Sequence, residues 1–212
     1  MSRGNEKLLE RWLREGMEAG RIDLAREVFA EDFVGHDEMA PVRGRDQLMA
    51  QASGFRGAFD DVVVDLGSIE SEEDRVSCTF EFRGRQTRPF GPLPASGGTI
   101  RLPGTIIVRA QDGKFVEGWQ VVDYTELMPP GAPAPAPPGT SSQPEAWAAR
   151  WDLSPRIAKV ARLAMQGLSD REIGLHLGLS IETVRTYLRD VFRAARVSNR
   201  TELLAAARTP VG

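Results

Sequence analysis

The sequence holds one cysteine, Cys78, so no intrachain disulfide can staple the chain. A lone thiol inside an apolar-alternating run is expected to be a reduced core residue. No run of about 18 apolar residues occurs, and the N-terminus has no charged-then-apolar leader pattern. These absences argue against a membrane span or secretory leader and for a cytoplasmic protein. No cluster with metal-ligand spacing and no phosphate-cradling glycine loop is present, so neither metal nor cofactor is expected. Internal repeats are also missing. What remains is a chain of 212 residues, 41% of them hydrophobic, enough for one large domain or two small ones.

Charge is distributed unevenly. Residues 1–128 carry 16 Lys and Arg against 23 Asp and Glu, a net of −7, whereas residues 151–212 carry ten against six, a net of +4. An acidic body on a basic tail suits a nucleic-acid binder. Between them lies PPGAPAPAPPGTSSQ, residues 129–143. Proline removes backbone donors, and alanine, glycine and serine bring no large apolar side chain, so this stretch reads as a semi-extended linker. The expected organisation is a domain over 1–128, a linker over 129–150 and a domain over 151–212.

Four helix starts follow one another in the tail. Ser154-Pro155 is a cap with proline at the first helical position. Ile157, Val160, Ala161 and Ala164 then form an apolar stripe that Gly167 ends. Ser169-Asp-Arg-Glu172 is a capping box, and its helix turns Ile173 and Leu177 inward. After Gly178-Leu179-Ser180 a third helix begins, with Glu182 in the first turn, where the helix dipole favours an anion. Asn199-Arg-Thr-Glu202 opens the fourth. Two short helices joined by a glycine turn make a helix-turn-helix. On its second helix Val184, Leu188 and Val191 share the core face. Thr183, Arg185, Thr186, Arg189 and Arg193 lie on or near the other face, and such residues suit guanine, thymine methyl and phosphate.

These motifs resemble the LuxR-type DNA-binding domain. Its pattern appears as Ser154-Pro155-Arg156, Gly167-Leu168-Ser169-x-x-Glu172-Ile173, Leu177-x-x-Ser180-x-x-Thr183-Val184 and Val197-x-x-Arg200-x-x-Leu203. The resemblance implies an all-α four-helix domain that binds double-stranded DNA. It implies base contacts at Arg185, Thr186 and Arg189, and phosphate contacts at Thr183 and Arg193. Lys159 and Tyr187 stand where that family usually has glutamate and histidine. Region four of sigma factors shares the motif, but there the sigma regions precede any such companion domain; here the motif comes last.

Residues 1–128 begin with helical periodicity and end in alternation. Leu8, Leu9, Trp12 and Leu13 indicate a helix over 5–19. A second is expected over 23–30 and a third over 45–58. Strands are expected at 62–66, 75–82, 99–102, 105–108 and 115–121, with Asp112-Gly113 as a hairpin turn. Helices followed by an antiparallel sheet mean α+β. A phosphorylated receiver is a parallel α/β domain with a lysine after a late strand; the order here is wrong for one, and Lys114 follows a hairpin turn.

Phe29-Ala-Glu-Asp32-Phe-Val-Gly-His36-Asp37, Gly44-Arg45-Asp46, Ala58-Phe59-Asp60-Asp61, Gly104-Thr105 and the run from Asp112 to Asp123 resemble the SnoaL-like branch of the NTF2-like cone. By that resemblance Asp123 matches an acid/base on the last strand, with a carboxyl pKa raised inside the cone, and His36 matches a pocket histidine. Gly84-Arg85-Gln86 stands where the branch has Gly-Thr-His, so one histidine of the usual set is missing. Trp12, Phe33, Phe55, Phe80, Trp119 and Tyr124 are candidate walls of a pocket for a small hydrophobic or polyketide-like ligand.

Two readings follow. One is a one-component transcription regulator whose cone senses a ligand or dimerises, and which contacts RNA polymerase if it activates. The other is a cyclase- or hydrolase-like enzyme with a DNA-binding tail. A homodimer is expected, through the open face of the sheet or the fourth helix around Leu203, with the sheet expected to offer more apolar area.

Overall fold

The computed structural model describes residues 2–37, 41–91, 93–128 and 146–208. The composition-defined linker at 129–143 lies outside the described residues. The chain divides into two compact units, Met1–Pro138 and Gly139–Gly212.

In the first unit, helix α1, Ser2–Arg11, continues as a π-helical turn over Trp12–Glu18. Leu9, Trp12 and Leu13, at helical spacing, are all buried. A 3-10 turn, Ile22–Leu24, leads into α2, Ala25–Val28. This helix is shorter than its apolar spacing suggested. Phe29 is already extended, with φ −109° and ψ 145°, and opens strand β1, Phe29–Asp37. Then come β2 (Val42–Arg43), α3 (Arg45–Gly57), β3 (Phe59–Glu72), β4 (Arg75–Gln86), β5 (Thr99–Gln111) and β6 (Lys114–Val122).

The strands form one sheet in the order β2-β1-β6-β5-β4-β3. Strands β3 to β6 make an antiparallel meander, with two-residue turns between β3 and β4 and between β5 and β6 and a longer loop between β4 and β5. The Asp112-Gly113 turn has both residues at positive φ, 51° and 76°, as a two-residue hairpin loop needs. The meander returns β6 to the side of β1, and those two run parallel. The sheet is therefore mixed rather than wholly antiparallel.

The sequence suggests two strands around Pro103, yet β5 runs through it. The Pro103 carbonyl accepts from Asp123 N at 2.9 Å. In a strand a residue's N and O point the same way, so the missing N–H faces β6 just past that strand's end. No ladder bond to β4 is lost.

Val76, Cys78 and Phe82 on β4, and Leu102, Ile106 and Val108 on β5, pack with Leu9, Trp12, Leu24 and Val28 of the helices in one core. Phe29 sits at its centre, with ring centroids 5.0 Å from Trp12, 4.8 Å from Phe33 and 5.7 Å from Phe115. Full burial of one such ring contributes about 1.5–3 kcal/mol. The outer side of β4 carries Arg75, Ser77, Thr79, Glu81, Arg83 and Arg85, and Arg83 pairs with Asp65 and Glu81. This part of the outer face is polar, contrary to the broad apolar surface expected of it.

The second unit contains α4 (Ala146–Arg150), α5 (Pro155–Met165), α6 (Asp170–Leu177), α7 (Ile181–Ala195) and α8 (Arg200–Arg208). Helix α4 is an addition to the four expected, formed by residues that composition assigned to the linker. Its Trp147, and Trp151 just after it, pack against the core of Ala161, Val191 and Leu203. Leu203 is wholly buried there, which removes it from the surfaces open to a partner. Among the described residues no helix is long and apolar enough to cross a membrane, and no group of acidic, histidine or cysteine side chains could hold a metal ion.

Candidate ligand cavity and nucleic-acid interface

The concave side of the sheet, the π-helical turn Trp12–Glu18 and helix α3 border a cavity of about 540 Å³. Trp12, Phe33, Phe55, Phe80 and Tyr124, all candidate walls in the sequence, border it, as do Phe82 and Phe90. Phe55 anchors one wall, with centroids 5.0 Å from Phe59, 4.7 Å from Phe82 and 5.3 Å from Phe90. Gln51 of α3 and Gln120 of β6 add amide groups to the lining. Strand alternation signals Gln120, which shares parity with Gly118 and Val122, but Gln51 has no such signal because α3 is only weakly amphipathic.

His36 and Trp119 also border the cavity, but the register turns their side chains away from it. Gly35 pairs with Gly118, and His36 with Trp119. Both glycines abut the Phe33 ring on the cavity side, so alternation places His36 and Trp119 on the outer face. There the imidazole stacks on the indole at 5.2 Å, and the Arg75 guanidinium lies 5.0 Å from the same indole. His36 Nε2 is 3.0 Å from Glu117 Oε1, and Arg109 Nε and Nη2 each donate to Glu117 Oε2 at 3.1 Å. The hydrogen bond from His36, joined by Arg109, holds the Glu117 carboxyl below the usual glutamate range, although burial opposes this.

Asp123 is not where the resemblance implies. Val122 is the last β6 residue to line the cavity, and Asp123 is exposed just beyond it. Its carboxylate accepts from Thr125 N at 2.9 Å and from Thr125 Oγ1. These bonds lower its pKa, the reverse of the rise expected for a carboxyl inside an apolar cone. The lining contains no carboxylate, lysine or arginine among the described residues.

In the second unit the turn is built by local hydrogen bonds. Ser169 Oγ accepts from Glu172 N at 3.3 Å, and the Glu172 carboxylate accepts from Ser169 N at 2.7 Å, completing the capping box. Gly178 ends α6 in the left-handed region, with φ 63° and ψ 38°, where a side chain would cost energy. Leu179 N returns to Gly174 O at 2.8 Å, and a Cβ on Gly174 would stand 2.7 Å from Leu179 O. Only glycine admits so close a turn. Ser180 then caps α7, accepting from Thr183 N at 3.1 Å.

Val184, Leu188 and Val191 bury the inner face of α7 against α5 and α6. Arg185, Thr186, Arg189 and Arg193 are exposed and Thr183 is half-buried, so the five residues singled out by sequence share an accessible surface. Ser180 Oγ and Thr183 Oγ1 lie 2.8 Å apart, and Thr186 Oγ1 donates to Glu182 O at 2.9 Å. Arg185 is held by Glu182 at 2.8 Å and Asp170 at 3.3 Å, and Arg193 by Asp190 at 3.2 Å. Arg189 has no ion-pair partner among the described residues. Asp170 also binds Arg200 Nη2 at 2.5 Å, tying the starts of α6 and α8 to Arg185. Sequence reading missed this hub because its partners lie 15 and 30 residues away.

Comparison with known proteins matches both units. Residues 7–129 match the family model described as SnoaL-like polyketide cyclase, and residues 152–207 match bacterial regulatory proteins of the luxR family. Among solved structures, a SnoaL-like protein from Jannaschia sp. CCS1 superposes with a TM-score of 0.56 at 24% identity, over 61% of this chain and 96% of that one. TsrD from Streptomyces laurentii gives 0.54 at 22% identity, over 58% and 94%. At these identities the likeness is one of fold. The two-component response regulator PprB of Pseudomonas aeruginosa is 39% identical over 82 residues, 39% of this chain but 30% of that protein. The chain thus spans under a third of that relative's length. It belongs to the SnoaL-like polyketide cyclase family and carries, at its C-terminal end, a LuxR-type helix-turn-helix, the build of a DNA-binding regulator.

Proposed function

We propose that the protein is a one-component, cytoplasmic transcription regulator whose cone binds a small, uncharged hydrophobic ligand. The carrying observation is the cavity itself: about 540 Å³, walled by aromatic and aliphatic side chains, with no carboxylate, lysine or arginine among the described residues of its lining. An ionic ligand would enter it without a counter-charge, at high desolvation cost. The exposure of Asp123 and its lowered pKa favour binding over acid–base turnover.

In this reading α7 enters the major groove. Arg185, Thr186 and Arg189 meet base edges, and Thr183 and Arg193 meet phosphates. The intramolecular ion pairs of Arg185 and Arg193 are exposed and contribute little stability, so exchanging them for DNA costs little. One such unit covers one half-site, and a homodimer on an inverted repeat supplies the second. The burial of Leu203 within its own unit favours the first unit as the dimer contact. As an activator the protein would also touch RNA polymerase.

Recovery of bound fragments from a fragmented genome by the full chain, with mass spectrometry of whatever co-purifies, tests this reading. The expected outcome is a small set of fragments sharing an inverted repeat, and an uncharged apolar compound that alters their binding. Turnover of an aromatic polyketide by a protein that binds no fragment selectively would overturn it.

A further inference from the structure

We propose that Glu182 is a specificity-determining residue, and that Glu182 and Arg185 together read one G·C base pair. The inference rests on α7 reading the major groove, as proposed above. Glu182 lies in the first turn of α7, its side chain 80% exposed, and Arg185 follows at 56%. Their charged ends sit 2.8 Å apart on the accessible surface.

The chemistry of the two groups matches one base-pair edge. In the major groove guanine presents two acceptors, N7 and O6, and its paired cytosine presents one donor, the N4 amine, beside them. A guanidinium has only donors and a carboxylate only acceptors. Arg185 fits the guanine and Glu182 the cytosine amine, in the side-by-side order the ion pair already has. Adenine fits a carboxylate less well, because its N7 acceptor beside the N6 donor would go unmatched.

Other roles for Glu182 explain less. An exposed pair three residues apart adds little to helix stability. A negative charge facing phosphates lowers affinity for every sequence alike. Accepting a hydrogen bond from a base amine is the interaction that depends on sequence. Asp170 grips Arg185 Nε at 3.3 Å and so holds the guanidinium of the pair, while Thr186 Oγ1 donates to the Glu182 backbone carbonyl at 2.9 Å. The back-bonded Thr186 hydroxyl does not compete for the same base edge.

The test is selection of binding sites from a randomised duplex pool by the full chain and by its Glu182→Ala, Arg185→Ala and Arg189→Ala variants. Circular dichroism would check that each variant keeps its helices. Glu182→Ala and Arg185→Ala are expected to relax the same base-pair position, and Arg189→Ala a different one. Titration with operators altered at the first position should show a preference for G·C of roughly tenfold in the natural protein, falling to about twofold in Glu182→Ala. If Glu182→Ala selects the natural sequence and merely binds all DNA more tightly, its role is electrostatic and the proposal fails. If Arg185→Ala and Arg189→Ala also leave the selected sequence unchanged, α7 does not read bases and the underlying assignment fails with it.

Discussion

Glu117 joins two oppositely placed donors, His36 on β1 and Arg109 on β5, across the outer face of the sheet. Because its folded-state pKa is depressed, the stabilisation is complete above the unfolded-state value of about 4.3. It is lost as pH falls through the lower folded-state value. Glu117→Gln should therefore cost about 1 kcal/mol at pH 7, by urea unfolding of the first unit, and less as pH drops below about 4. An equal deficit at pH 3 would contradict the sign of this coupling. Asp123 supplies a contrast. Its carboxylate is exposed and accepts from Thr125 in its own turn, so it should be dispensable to the cavity. Nile red, a neutral apolar dye, should bind Asp123→Ala as it binds the natural protein. Leu48→Trp, which fills space in the lining, should weaken the dye several-fold. The reverse pattern would place the binding site at the strand end. Sequence could align Asp123 with an acid/base position, but whether a side chain faces in or out turns on one residue of register. The same parity turned His36 and Trp119 outward.

The helix-turn-helix was legible because its signals are local. Ser154, Ser169 and Ser180 each accept the backbone bond that their position in a cap implies, and none depends on distant pairing. The sheet unit was legible where strands alternate cleanly and turn tightly, as along β4 and at Asp112-Gly113. It was not at β1, whose register shifts between Phe29 and Val34 and whose partner β6 lies some eighty residues on. Nor was β5 legible across Pro103, where the harmlessness of proline depends on where β6 ends. The element most sensitive to a single added methyl is the α6–α7 turn. Gly174→Ala would press a Cβ against Leu179 O and should destabilise the second unit by about 1–3 kcal/mol, read as a lower melting temperature. An unshifted transition would show that the turn relaxes freely.

For the whole molecule, the division of charge and the proline-rich composition of residues 129–143 bear on how a ligand would act on DNA binding in the proposed regulator. A tether of that composition reaches about 3.1 Å per residue when extended and transmits little torque. Coupling through a dimer, which sets the effective concentration of the second DNA-binding unit, does not need a rigid lever. Replacing residues 131–142 by a Gly/Ser stretch of equal length should leave operator affinity within a few-fold and preserve any ligand response. Loss of that response in a folded dimer would make the proline segment a mechanical coupler. The central claim, that the exposed face of α7 reads DNA, is tested most directly by titrating a selected operator and a scrambled duplex with the natural chain and with an Arg185→Ala/Arg189→Ala double variant at several salt concentrations. The natural chain should prefer the operator by a factor of about a thousand or more. The double variant should bind both duplexes alike, with the residual salt dependence of phosphate contacts. Full operator preference in the double variant would contradict the assignment of α7 as the reading helix.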